Sequence, residues 1–166
     1  RRAMPPDAAH DADWTRTRCV ELLNDANLAS DADATTSALK QVVELVTSHA
    51  GARDASLSDV IDAVLEFRAA PAVATRKYIA GVCETIGKAR EDALGACIDA
   101  ARGMVRDDSA IVAKRASAAC GQTFREALIV AAVKGNAPRV LKHVTAAWVA
   151  AKAAMEDVAG GVCAAG

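Results

Sequence analysis

The feature that most constrains this chain is the spacing of its apolar residues, which recur at the i, i+3, i+4 and i+7 positions typical of an α-helix. The stripe that contains Leu39, Val42 and Val46 is typical, and the longest stripe runs from Val112 to Leu128. Each stripe would bury one face of a helix and leave the opposite face in water. The seven stripes predict helices over residues 15–29, 34–49, 56–69, 72–88, 91–106, 109–133 and 138–159.

Composition favours helices over strands. Alanine, which has the lowest cost in a helix, makes up about a quarter of the chain, whereas aromatic residues, which strands favour, make up 3%. Hydrophobic residues make up 52%, which is too much for a disordered chain. At 166 residues the chain is also long enough to form a core without disulfides or a metal.

Residues that break or cap helices fall between the stripes and keep the connections short. Ser30 or Asp33 can cap the second helix, and Pro71 can open the fourth. Short connections turn consecutive helices into antiparallel hairpins, which pair the first six helices and leave the seventh without a partner in this chain. Equivalent helices start about every 36–47 residues, near the period of HEAT and armadillo units.

These hairpins predict an all-α fold and, more narrowly, an α-solenoid of stacked antiparallel helical hairpins with about seven helices, like the HEAT and armadillo superhelices. The helical domain is expected over residues 15–159, incomplete at its C-terminal end, between a disordered tail at 1–14 and a flexible tail at 160–166. The alternative is an alanine-rich helical bundle without repeats, because amphipathic helices suit both architectures.

Charge and cysteine usage restrict the function. The net charge is −1, so the chain lacks the basic field that favours nucleic-acid binding. The five cysteines are an odd number with no C-x-x-C pair, which favours reduced, mostly buried thiols in an intracellular protein. Neither a signal peptide nor an apolar run of about 20 residues is present, so we expect no membrane association.

No motif for catalysis or ligand binding stands out. The histidines at positions 10, 49 and 143 are isolated, and neither a helical zinc pair nor an EF-hand loop is present. Glycine-rich phosphate loops and the Gly-x-Ser-x-Gly signature are also missing. The sequence therefore predicts a non-enzyme without catalytic residues, cofactor, metal or small-molecule ligand. A small helical enzyme or ligand carrier with an internal pocket is the alternative.

Three stretches resemble a known family in their order and spacing. They are VELLNDANLASDADATTSALKQVVELVTSH at 20–49, VLEFRAAPAVATRKYIAGVCETIGKA at 64–89 and MVRDDSAIVAKRA at 104–116. The first joins an LLN segment to an LKQV helix, and the second joins a Phe-x-Ala turn to an Arg-Lys-aromatic helix start. Over residues 19–158 the chain resembles the N-terminal HEAT domain of the symplekin (Pta) family.

The resemblance implies a nuclear, non-catalytic scaffold of the machinery that cleaves and polyadenylates pre-mRNA 3′ ends. It also implies protein partners from that machinery, including a phosphatase that acts on the C-terminal domain of RNA polymerase II, and no direct contact with nucleic acid. No position matches the family's best-known phosphatase contact, so no such residue is carried over. A generic HEAT or armadillo adaptor, in transport or chromatin, is the alternative function.

Two basic pairs near the starts of the fourth and sixth predicted helices are the candidate partner-binding residues: Arg76 with Lys77, and Lys114 with Arg115. In a HEAT stack, equivalent helices line one concave surface, so these side chains would form a basic ladder for an acidic partner. The alternative is structural, because an arginine here can pair with an acidic turn residue of an adjacent repeat, such as Asp107 or Asp108. Such a surface ion pair contributes about 0–1 kcal/mol.

Overall fold

A computed structural model describes the backbone of residues 7–48 and 57–134, the side chains of 13–48 and 57–133, and four isolated positions between 142 and 149. Across these residues the regular secondary structure is helical, without a strand. In chain order the elements are α1 (Asp7–Leu28), α2 (Ala32–Ser48), α3 (Ser58–Glu66), a 3-10 turn (Phe67–Ala69), α4 (Val73–Ala89), α5 (Leu94–Met104) and α6 (Ala110–Lys134).

The all-α prediction is confirmed, and the first six predicted helices correspond to α1–α6. The largest difference is at the start of the chain, where α1 begins at Asp7, so residues 7–14 of the expected disordered tail are helical. The tail at 160–166 lies outside the described residues. So does the helix expected at 138–159, apart from the four isolated positions, which are helical.

The helices form two compact units, residues 1–79 (the first unit) and 80–166 (the second unit), with the boundary inside α4. The single helical domain expected over residues 15–159 stays a prediction. Within the units, packing joins helices that follow one another closely in the chain, as α1 packs along α2 and α5 packs along α6. Each unit therefore contains its own set of local helix contacts.

The main packing of the first unit is between α1 and α2, and α3 contacts both helices. Only residues 29–31 separate α1 from α2, and so short a connection makes the two helices antiparallel. The cap of α2 is Asp31, which lies between the expected candidates Ser30 and Asp33. One of its carboxylate oxygens accepts the backbone N–H of Ala34 at 2.7 Å.

The core of the first unit consists of aliphatic side chains and one cysteine. Its buried residues include these members of the apolar stripes: Cys19, Leu22, Leu39, Val42, Val46, Val60, Ile61, Val64 and Leu65. Burying one such aliphatic side chain contributes about 1.5–3 kcal/mol. At the surface, the guanidinium of Arg16 on α1 pairs with the carboxylate of Asp59 on α3. Both side chains are about half exposed, at 49% and 55%, so this pair contributes little.

The second unit packs α5 against α6, with the end of α4 close to both. Its core includes Leu94, Cys97, Ile98, Met104, Val112, Ala116, Ala119 and Ala127. Gly87 marks a close approach, because a Cβ added there would lie 3.2 Å from Cδ1 of Leu94 and 3.3 Å from Cγ2 of Thr123. The glycine therefore lets α4 approach its neighbours without displacing their side chains.

Two glycines of the second unit are expected to respond oppositely to replacement by alanine. Gly121 lies on the exposed side of α6, and a Cβ there would meet nothing within 4 Å. We expect Gly121→Ala to raise the free energy of unfolding by about 0.5–1 kcal/mol, because alanine has the higher helix propensity. We expect Gly87→Ala to give no gain, because overpacking costs about 1–3 kcal/mol. Urea unfolding followed by circular dichroism checks both, and equal gains in the two variants would contradict the packing at Gly87.

Candidate partner-binding surfaces

Arg76, one of the four predicted partner-binding residues, contacts the turn that precedes its own helix. Its Nη1 donates hydrogen bonds to the carbonyl oxygens of Ala70 at 3.1 Å and Pro71 at 3.0 Å. These two carbonyls belong to the chain between the 3-10 turn and α4, where helical hydrogen bonding is interrupted. Arg76 therefore stabilises this turn, a contact that was not among the pairings suggested by the sequence.

Arg115 on α6 pairs with a carboxylate on α4. Its Nη1 and Nη2 donate to Oε2 of Glu84 at 3.1 and 3.0 Å, and the Nζ of Lys88 donates to Oε1 of the same carboxylate at 2.6 Å. Glu84 is only 21% exposed. The hydrogen bond from Lys88 is the main cause of a lowered pKa of Glu84. Burial raises this pKa, and the hydrogen bond from Arg115 lowers it again, so that the pKa of Glu84 stays below its usual value. The three side chains form one network within the second unit.

Gly81 makes room for this network. A Cβ added at Gly81 would lie 3.2 Å from Nη2 and 3.3 Å from Nε of Arg115, so the guanidinium lies directly against the glycine. Gly81 precedes Glu84 by three residues, which places both on the same side of α4. The missing side chain thus lets the arginine reach the carboxylate.

Lys77 and Lys114 differ from their arginine neighbours. Both side chains are exposed, and neither has a hydrogen bond or an ion pair to another described residue. Lys77 is the fifth residue of α4 and Lys114 is the fifth residue of α6, so they occupy equivalent positions in two helices. In each predicted basic pair the arginine has an internal contact and the lysine ammonium faces solvent.

An open groove of about 620 Å³ lies in the first unit, between the connection of α1 to α2 and the turn before α4. We call it the turn groove. Seven of its sixteen lining residues are alanines, and Leu23, Phe67 and Pro71 add apolar surface. Asp31 and Glu66 are its charged lining residues, and no lysine or arginine lines it among the described residues. The turn groove is therefore an apolar depression edged by carboxylates.

The end of α1 beside the turn groove strengthens its negative character. The last turn of α1 lines the groove and contains no basic residue, whereas α3 continues into the 3-10 turn, which contains Arg68. A helix C-terminus leaves carbonyl groups without helical partners and has the negative end of the helix dipole. The start of α4 also lines the groove with Ala72 and Thr75, of which Thr75 is buried.

The described cysteines are reduced thiols, and they lie in or near the cores. Cys19, Cys83 and Cys97 are buried, and Cys120 is half-buried. Burial raises the pKa of Cys19 and of Cys120 to about 11, far above the range in which a thiolate forms at neutral pH. Over the part of the chain that is described, no group of three or more histidine, cysteine or acidic side chains is placed to hold a metal ion.

Arg90 is a structural residue that the sequence pattern did not indicate. It follows α4 and is only 2% exposed. Its Nε and Nη2 donate to the two carboxylate oxygens of Asp92 at 3.2 and 2.8 Å. The hydrogen bond from Arg90 is the main cause of a lowered pKa of Asp92. The surrounding sequence, Lys88 to Asp92, is typical of an exposed charged turn, so it gave no signal of a buried arginine.

The C-terminal half of α6 exposes large apolar side chains. Leu128, Ile129 and Val133 are 55%, 45% and 76% exposed, whereas Ala127 is buried. The apolar spacing predicted that Leu128 ends the sixth buried stripe, and this prediction is wrong by one residue, because Ala127 is buried and Leu128 is exposed. Over a helix of 25 residues, the buried face passes through Val112 and Ala127 instead.

Comparison with models of known protein families finds none that matches the chain. None of the described helices combines the length and the hydropathy required to span a membrane.

The Glu84 network gives a testable dependence of stability on pH. We expect Glu84→Gln to lower the free energy of unfolding by about 1 kcal/mol at neutral pH, because two cations lose their shared partner. Since the folded-state pKa of Glu84 is lowered, its contribution is complete above the unfolded value of about 4.3 and is lost as the pH falls through the folded value. The difference in the free energy of unfolding between parent and variant should therefore stay constant from pH 7 to about pH 5 and narrow as the pH falls further, towards pH 3.

Urea unfolding at each pH measures this gap. The matched control is Glu44→Gln, because Glu44 on α2 is exposed and has no ion pair to another described residue. The control should stay within about 0.5 kcal/mol of the parent at every pH. A gap for Glu84→Gln that is constant over the whole pH range would show that the carboxylate charge plays no part.

Proposed function

We propose that this protein is a non-catalytic, protein-binding scaffold built from stacked helical hairpins. The observation on which the proposal depends is the local packing of consecutive helices, α1 along α2 and α5 along α6, across short connections. Hairpins that pack this way expose a series of outer helix faces, and such faces serve helical-repeat proteins as extended binding surfaces.

Lys77 and Lys114 supply the partner contact in this proposal. They occupy equivalent positions in α4 and α6, they are exposed, and neither has an ion pair to another described residue. Each helix would therefore present one ammonium group to an acidic partner. Arg76 and Arg115 have a supporting role, because their contacts with Ala70, Pro71 and Glu84 hold the helices that present the lysines.

The finer proposal is that the scaffold is of the symplekin type and acts in nuclear pre-mRNA 3′-end processing. Its support is the resemblance of residues 20–49, 64–89 and 104–116 to the N-terminal HEAT domain of that family. On this basis the partners are proteins of the cleavage and polyadenylation machinery and a phosphatase of the polymerase C-terminal domain. The scaffold would raise their local concentration by holding them side by side.

Affinity capture from nuclear extract tests both levels of the proposal. The immobilised chain should retain cleavage and polyadenylation factors, identified by mass spectrometry, and the double variant Lys77→Glu with Lys114→Glu should retain at least about five-fold less. Charge reversal is chosen because it turns attraction to an acidic partner into repulsion.

The matched control is Lys40→Glu, which reverses an exposed charge on α2, a helix that contains neither of the two lysines. It should capture as much as the parent chain. Retention of transport or chromatin proteins in place of processing factors would favour a generic helical-repeat adaptor. Equal losses in the control and the double variant would reject Lys77 and Lys114 as the contact.

A further inference from the structure

We infer that the turn groove is a second docking site, and that it takes a lysine or arginine side chain from a short segment of a partner protein. This site is opposite in charge to Lys77 and Lys114. It shares with the proposed function only the premise that the protein binds other proteins. It depends neither on the two lysines nor on a place in 3′-end processing.

The walls of the turn groove suit the aliphatic part of a long cationic side chain. Ala29, Ala32, Ala63 and Ala70 present only methyl groups, so the space between the two turns stays open. Phe67 adds an aromatic ring that is half-buried in the wall. Lysine and arginine place their methylene groups along apolar surface while the charged end remains in a polar setting. An aromatic face adds a further attraction for a cation.

The edge of the groove suits the charged end. Asp31 is exposed, and although one of its carboxylate oxygens caps α2, a carboxylate has room for further donors. Glu66 is 69% exposed and pairs with Arg68 at 3.1 Å. An exposed pair of this kind is weak, so it yields readily to a competing cation. The two carboxylates therefore give the groove two acceptors for an ammonium or guanidinium group.

The turn beside the groove already binds a cation within the protein itself. The carbonyl oxygens of Ala70 and Pro71, which line the groove, accept hydrogen bonds from the guanidinium of Arg76. The last turn of α1 adds carbonyl groups at the negative end of its helix dipole, without a basic residue in that turn. Together with the carboxylates of Asp31 and Glu66, these carbonyl groups favour a cationic occupant over an acidic one.

The open form of the groove distinguishes a partner segment from a small-molecule ligand. Sites for small molecules enclose most of the ligand surface, whereas the turn groove opens to solvent between two connections. A side chain that projects from a partner can enter such a groove while its own backbone stays outside. The proposed occupant is therefore one basic side chain flanked by small residues.

The test uses two fluorescein-labelled peptides, acetyl-Ala-Pro-Ala-Lys-Ala-Pro-Ala and the same peptide with glutamate in place of lysine. Fluorescence anisotropy with the full chain should show that the lysine peptide binds at least about five-fold more tightly than the glutamate peptide. The double variant Asp31→Asn with Glu66→Gln should lose most of this preference. Asparagine caps helices as well as aspartate does, so the change at Asp31 leaves the α2 cap in place.

A second variant blocks the groove without changing its charge. Ala63→Leu places a larger side chain on α3 inside the groove, and we expect it to weaken binding of the lysine peptide by about five-fold or more. Its matched control is Ala74→Leu, at an exposed position of α4 that does not line the groove, which should bind as the parent does. Thermal unfolding by circular dichroism confirms that each variant is folded.

Three outcomes would overturn the inference. They are equal affinity for the two peptides, an undiminished preference in the double variant, and an equal loss in Asp62→Asn, which removes an exposed carboxylate of α3 outside the groove. The role proposed for Lys77 and Lys114 is tested separately, because Lys77→Glu with Lys114→Glu should leave peptide binding within about two-fold of the parent. Failure of nuclear capture together with intact peptide binding would reject the proposed function and keep the groove site.

Discussion

In the part of the chain that the structure describes, α1 packs along α2 and α5 packs along α6, and the side chains available for this burial are small. Aromatic residues make up 3% of the sequence, so leucine, isoleucine, valine and alanine form the cores around residues such as Val42 and Ile98. Small side chains fill a core only if the helix backbones come close together. Gly87 is a position at which α4 allows that approach, because Leu94 and Thr123 lie directly against it.

The packing of the helices also determines which charged side chains form contacts within the protein and which ones remain exposed to solvent. Arg76 and Arg115 each reach two or more acceptor contacts, because a guanidinium presents several N–H groups in a planar fork. Lys77 and Lys114 have a single, flexible ammonium group and stay in solvent. Within each basic pair, the arginine therefore makes a structural contact, and the lysine keeps its charge exposed to solvent.

The sequence predicted the helices well, because a helical stripe such as that of Val42 depends only on neighbouring residues. It did not predict the partner of Arg115, since contact with Glu84, 31 residues away, depends on how two helices rotate about their axes. The burial of Arg90 and the exposure of Leu128 were missed for the same reason. The turn groove has no motif at all, because it arises from two connections that the fold brings together.

With a net charge of −1, the protein has no strong overall electrostatic field that would attract a charged partner to the proposed sites. At physiological ionic strength, charges more than about 8 Å apart are largely screened, so neither the two lysines nor the carboxylates of the turn groove attract a partner from a distance. Selectivity must therefore come from contact, through side chains such as Lys77 that meet an acidic group, or an apolar wall such as Phe67 that excludes water. A chain of nearly balanced charge can in this way hold sites of opposite sign, because each site acts only over the range of its own neighbours.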